Sequence, residues 1–176
     1  MFRRVAHTRL AVLSCLIFAA LLLGSCTPAN LGSQKVSGNI DRPVAGIDVS
    51  KYQGLVDFEK VKSAGVSYVL IRATEGITYQ DADFESNYRQ ARSVGLVVGA
   101  YHFYETNDDP EAQLENFTSI AKLKPGDLPP VIDIEKLHHQ DDADLVEHLK
   151  VFLRGLESHY GAKPIVYSGL NFANKY

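Results

Sequence analysis

Pro129-Pro130-Val131-Ile132-Asp133-Ile134-Glu135 is a short apolar, β-branched run that closes on two carboxylates at positions i and i+2. Side chains alternate along a strand, so Asp133 and Glu135 project from one face about 6–7 Å apart, and Ile132 and Ile134 point the other way. Unpaired buried charge is costly, so two acids at the C-terminal end of a hydrophobic strand point to chemistry more than to packing. The competing reading has both acids capping or salt-bridging a neighbouring loop. What surrounds this strand decides between them.

From residue 44 onward short apolar strands alternate with amphipathic helices, the rhythm of parallel βα units. Strand one is read at Val44–Val49, followed by a helix over Val56–Ala64 that stops at Gly65. Strand two is Tyr68–Ala73, a helix covers Asp83–Val94 up to Gly95, and strand three is Leu96–Tyr104. Asp109-Pro110 suits a helix start, with Asp as cap and Pro in the first turn. Glu111–Leu123 follows with Leu114, Phe117, Ile120 and Ala121 on one stripe. Strand four is Val131–Glu135, a long helix covers Asp141–Tyr160, and strand five is Pro164–Ser168.

Five such units fit an open doubly wound sheet or a closed barrel. The polar residues favour the barrel, because they gather at or just past the strand C-termini, where barrel enzymes carry their sites. They are Asp48 and Ser50, Arg72 and Glu75, Tyr101 to Tyr104, Asp133 and Glu135, and Tyr167 and Ser168. The fold class expected is therefore α/β, an irregular TIM-like (β/α) barrel. Residues 44–176 fall short of the roughly 200 or more that such a barrel needs. The chain is expected to be truncated after about five βα units.

The N-terminus reads as an address. Arg3, Arg4 and Arg9 precede an apolar stretch from Leu10 to Leu23, and Leu23-Gly24-Ser25-Cys26 ends it. Residues 1–26 are expected to be a bacterial lipoprotein signal, with Cys26 as the lipidated new N-terminus and residues 27–42 as a polar tether. An uncleaved anchor and an ordinary secretory signal are the rivals; the apolar stretch is short for a span. The two cysteines, Cys15 and Cys26, both lie in this segment. The domain over residues 43–176 therefore has no thiol nucleophile, disulfide or cysteine-ligated zinc, and acid, hydroxyl and imidazole chemistry remain.

A net charge of −3 with 45% hydrophobic residues describes a soluble domain, and no basic run points to nucleic acid. His138-His139 reads as a solvated loop, since adjacent side chains point apart on most backbones and make a poor metal pair. No metal or organic cofactor is implied, and no signal of oligomeric state is present.

Five motifs in order carry a family resemblance: Gly46-Ile47-Asp48-Val49-Ser50 with Tyr52-Gln53-Gly54, then Ile71-Arg72-Ala73-Thr74-Glu75-Gly76, Gly99-Ala100-Tyr101-His102-Phe103-Tyr104, Asp133-Ile134-Glu135 and Val166-Tyr167-Ser168. From Val44 to its end the chain resembles the family 25 glycoside hydrolases, the N-acetylmuramidase type of lysozyme. The resemblance implies an irregular barrel and cleavage of the β-1,4 bond between N-acetylmuramic acid and N-acetylglucosamine in peptidoglycan. Its partners would be peptidoglycan glycan strands and, through the lipid, a membrane of the cell envelope. Family members carry a further aspartate and barrel-closing strands that this sequence does not reach.

Under this resemblance Glu135 matches the general acid. A second carboxylate on the same face raises one pKa of the pair toward neutrality. Asp133 is expected to stay ionised, stabilising the oxocarbenium-like state or orienting the substrate's 2-acetamido group for attack on the anomeric carbon. Carboxylate separation, about 5–5.5 Å for retention and 6.5–9.5 Å for inversion, does not bind substrate-assisted enzymes. Net retention by substrate assistance is favoured. Asp48 matches the acid at the end of strand one; its alternative is a cap for the loop Ser50–Gly54. Arg72 and Glu75 are expected to contact substrate or brace the acids. Tyr101, Phe103, Tyr104 and Tyr167 are candidate sugar-stacking faces in a chain without tryptophan. Alternation lets only one pair from strand three, Tyr101 with Phe103 or His102 with Tyr104, face the substrate.

Two other functions fit the same residues. A chitinase-like glycosidase shares a D-x-E strand end and acetamido assistance. A non-catalytic wall-binding lipoprotein would share the address and the wall.

Overall fold

The computed structural model describes residues 44–135 and 142–175. The signal, Cys26 and the tether lie outside the described residues, as does His138-His139. Strand β1 is Ala45–Val49 and a 3₁₀ turn follows at Lys51–Gln53. Helix α1 is Phe58–Ser63, β2 is Val66–Glu75 and β3 is the two-residue Tyr79–Gln80. Then come α2 at Phe84–Ser93, β4 at Val97–Phe103, α3 at Pro110–Ile120 and β5 at Val131–Ile134. Helix α4 at Asp142–Tyr160, β6 at Ile165–Ser168 and α5 at Leu170–Lys175 complete the order.

Local chemistry accounts for the boundaries. Asp57 caps α1 by accepting from Lys60 N, and Asp109 caps α3 by accepting from Ala112 N with Pro110 at the first position. Gly65 and Gly95 take positive φ just after α1 and α2, where a side chain would be strained.

The strands order as β1-β2-β4-β5-β6, all parallel, with β3 folded back antiparallel on β2. Apart from that hairpin, each strand lies beside the one before it. A doubly wound sheet reverses direction part-way and places helices on both faces; this sheet does not reverse. The result is a curled parallel sheet, a half-barrel with its helices on one side. The core fills the space between: Val69, Ile71, Val98, Ala100, His102, Ile132 and Ile134 from the strands, with Tyr104 just past β4, meet Phe58, Phe84, Phe117, Leu145, Phe152 and Leu156 from the helices, all buried.

Two features were not anticipated. The β2–β3 hairpin extends β2 to Glu75, two residues past its expected end, and α5 follows β6 directly. On the inner face, Gly46 stands opposite Tyr68 in register, and a Cβ there would lie 2.0 Å from the tyrosine ring. Any side chain at position 46 would have to displace that ring, which lies on the face shared with Asp48.

Candidate active site

Alternation sorts the strand residues into two faces. Val131 and Asp133 of β5 share the face away from the helices, with Glu135 one step past the strand end. Parallel register then places Glu75, Phe103, Asp133 and Tyr167 side by side across β2, β4, β5 and β6. Arg72 pairs with Tyr101 one step below. Asp48 pairs with Leu70 and so shares this inner face at the β1 side. His102 and Tyr104 go to the helix side and are buried. Of the two aromatic pairs on β4, Tyr101 and Phe103 therefore accompany the acids.

Glu135 and Asp48 are exposed, and Asp133 is half-buried. Asp133 Oδ1 is buried without a hydrogen-bond partner among the described residues. Burial first, then the charges of Glu135 and Asp48, push the Asp133 carboxyl up to about 7, and Arg72 opposes them. The sequence reading expected one acid of the pair to keep a proton near neutrality and Asp133 to stay ionised; burial instead favours the proton on Asp133. Its physical reason is position: Asp133 lies inside the ladder between β4 and β6, whereas Glu135 stands beyond it in solvent.

The phenols report the same neighbourhood. Tyr101 is held protonated by burial and next by the charge of Asp48, with Asp133 adding to it. Tyr167 is raised by burial and then by Glu135, Asp133 and Asp48. Asp48, Asp133, Glu135, Tyr101 and Tyr167 thus gather at one site.

Arg72 is 6% exposed and fully engaged. Its Nη1 donates to Glu75 Oε2 at 3.0 Å, its Nη2 to the Tyr79 hydroxyl at 3.3 Å and its Nε to Asp81 Oδ2 at 3.3 Å. A register shift between Arg72 and Thr74 makes the first pairing possible. Residues i and i+3 of a regular strand face opposite ways; the bulge turns Arg72 and Glu75 to the same side. Between contacting substrate and bracing the acids, this geometry favours the brace. The loop after β1 is capped by Ser50 and Gln53, whose side chains close a reciprocal capping box. Asp48 is not needed as that cap and is left facing the site.

The sequence profile of Glycosyl hydrolases family 25 matches residues 47–176. The chain belongs to that family. It is 32% identical over 134 residues to the uncharacterized protein YegX of Escherichia coli K12, covering 73% of this chain and 49% of that protein. It is 45% identical over 96 residues to Lysozyme M1 of Streptomyces globisporus, covering 52% of this chain and 33% of the lysozyme. The structure of a family 25 glycosyl hydrolase from Bacillus anthracis superposes with a TM-score of 0.73 at 32% identity, covering 82% of this chain and 70% of that one. The chain spans about half the length of YegX, or less of the other curated relative.

Two parts of this family 25 site escaped the sequence reading. Asp81, just past β3, joins separate loops by accepting from Lys51 N at 3.0 Å and from Arg72 Nε. Beneath the rim, His102 links β2 to α3. Gln113 Oε1 accepts from Glu105 N at 2.9 Å, which fixes it as the oxygen. His102 Nε2 therefore donates to it at 3.0 Å, and Nδ1 accepts from Thr74 Oγ1 at 2.8 Å. Burial lowers the His102 pKa to about 4, so the ring stays neutral. Such partners carry no local spacing signal; a Gln on a helix three residues past a Pro looks like any surface residue.

Proposed function

We propose that the protein is a peptidoglycan hydrolase of the muramidase type, cleaving the β-1,4 bond between N-acetylmuramic acid and N-acetylglucosamine. The observation that carries this reading is the inward-facing pair itself: Asp133 partly buried, its proton held to about pH 7, with Glu135 exposed on the same face. Membership of family 25 and the similarity to Lysozyme M1 support it. The single proton of the pair, held at rest on Asp133, passes to Glu135 as substrate binds, and Glu135, the member within reach of a glycosidic oxygen, donates it as the C–O bond breaks, leaving Asp133 ionised. Asp133, once ionised, orients the 2-acetamido group so that its carbonyl oxygen attacks the anomeric carbon. Water then opens that intermediate, giving net retention. Asp48 completes the acidic rim, Tyr101, Phe103 and Tyr167 line it, and Arg72 with Glu75 braces it.

In the whole protein the half-barrel closes into an irregular TIM-like barrel around these acids. The enzyme is exported and held at the cell envelope through lipid on Cys26, with residues 27–42 as tether. Replacing Cys26 by Ser should abolish lipid labelling and free the protein from membranes; persistent membrane retention would argue for an uncleaved anchor.

The test of activity uses the full-length protein. Purified peptidoglycan is digested, reduced with borohydride, and the new ends are identified by mass spectrometry. Reduced muramic acid, lost in Glu135→Gln, is the expected result. New ends on chitin oligomers alone would favour the chitinase-like reading, and no ends at all from a folded protein the wall-binding one.

A further inference from the structure

The β1–β2 side of the site presents a cation that no acid among the described residues neutralises. Lys51 is exposed, and its Nζ lies 4.8 Å from the ring centroid of Tyr79 and 5.3 Å from that of Tyr52. The Arg72 guanidinium lies 4.9 Å from the same two centroids. The rings thus carry two cations, one buried and one in solvent. Arg72 is neutralised by Glu75 and Asp81, whereas Lys51 forms no salt bridge among the described residues. The nearby carboxylate of Asp81 is spent: Oδ2 serves Lys51 N and Arg72 Nε, and Oδ1 accepts from Asp83 N at 3.0 Å.

Lys51 is also held in place. The Ser50–Gln53 capping box fixes its turn, Asp81 clamps its backbone from thirty residues away, and its ammonium rests over the Tyr79 ring. Tyr52 remains 75% exposed beside it. A preorganised, unneutralised cation beside an exposed aromatic face, three strand spacings or roughly 14 Å along the sheet from β5, is built to receive an anion.

The inference rests on the muramidase reading and names what the substrate offers there. N-acetylated glycan is uncharged, and the lactyl carboxyl of muramic acid is consumed by its amide to the peptide stem. The anions of the polymer are the carboxylates of the stem. We propose that Lys51, presented on Tyr52 and Tyr79, is a specificity subsite that reads a free carboxylate of the peptidoglycan peptide stem.

The test measures equilibrium binding by calorimetry to the full-length protein carrying Glu135→Gln, which prevents turnover. The probes are two soluble glycan fragments alike except that the stem carboxylates are free in one and amidated in the other. The free-acid fragment should bind about threefold to tenfold tighter. That ratio should fall to near one in Lys51→Met and be retained in Lys51→Arg. Equal binding of the two fragments, or an unchanged ratio in Lys51→Met, overturns the subsite. Hydrolysis of wall by the parent protein is scored separately. Its absence would overturn the muramidase reading while the binding ratio still decides for or against the subsite; a ratio of one in a protein that hydrolyses wall removes the subsite alone.

Discussion

Asp133 sits where opposing influences meet: burial and the charges of Glu135 and Asp48 hold its proton on, and Arg72 pulls it off. Replacing Arg72 by Met removes the opposing charge, so the Asp133 midpoint should rise above about 7. The alkaline limb of the kcat/KM profile should move up with it, and carboxyl NMR titration checks the assignment independently. The same change leaves Asp81, whose side chain is 1% exposed, without its cation and should cost about 3 kcal/mol in urea unfolding. A stability loss with no movement of the limb would detach Arg72 from the acids. At this scale the sequence reveals the pair, because a period of two puts Asp133 and Glu135 on one face. It does not reveal which acid keeps the proton, since that depends on the strands flanking β5 and on a bulge in β2 that no residue type announces.

Elements carry the site through their ends. Helix α3 begins where Asp109-Pro110 says it should, and Asp109 accepts from Ala112 N at 2.8 Å. One turn later Gln113 binds the loop after β4, donating to the carbonyls of Glu105 and Asp108 while its oxygen accepts from Glu105 N and His102. Gln113→Leu leaves these buried groups unpaired and should destabilise the protein by about 2–3 kcal/mol. Hydrogen exchange should quicken at the Glu105 amide with no change in β1. Uniform quickening throughout would instead mean that Gln113 supports the whole fold and not this loop. The Asp109 cap is a local signal and is legible; the Gln113 clamp joins residues of two elements through a buried histidine and is not.

Across the whole molecule, the strand and helix rhythm and the gathering of polar groups at strand C-termini already pointed to a barrel-like sheet. The unreversed strand order and the superposition on the Bacillus anthracis hydrolase agree with a half-barrel. The β2–β3 hairpin was illegible because two residues are too few to show a period. The two faces of this sheet also respond oppositely to acid. His102, on the helix side, has its pKa lowered from 6.5 to about 4. The unfolded chain takes up its proton first as pH falls, so stability present above pH 6.5 is lost toward pH 4, by about 3 kcal/mol. Asp133, on the inner side, has its pKa raised from 3.8 to about 7. The folded chain holds that proton longer, so its contribution is full below pH 3.8 and lost as pH rises through about 7. The windows overlap and the slopes have opposite sign, so stability of the parent protein should vary little between about pH 4 and 7. Asp133→Asn removes one slope and leaves the other. Urea unfolding of this variant should show stability climbing with pH from 4 to 6.5, and at pH 8 it should exceed that of the parent, which must carry a partly buried carboxylate there. A variant as flat as its parent would mean that His102 does not stay neutral in the fold.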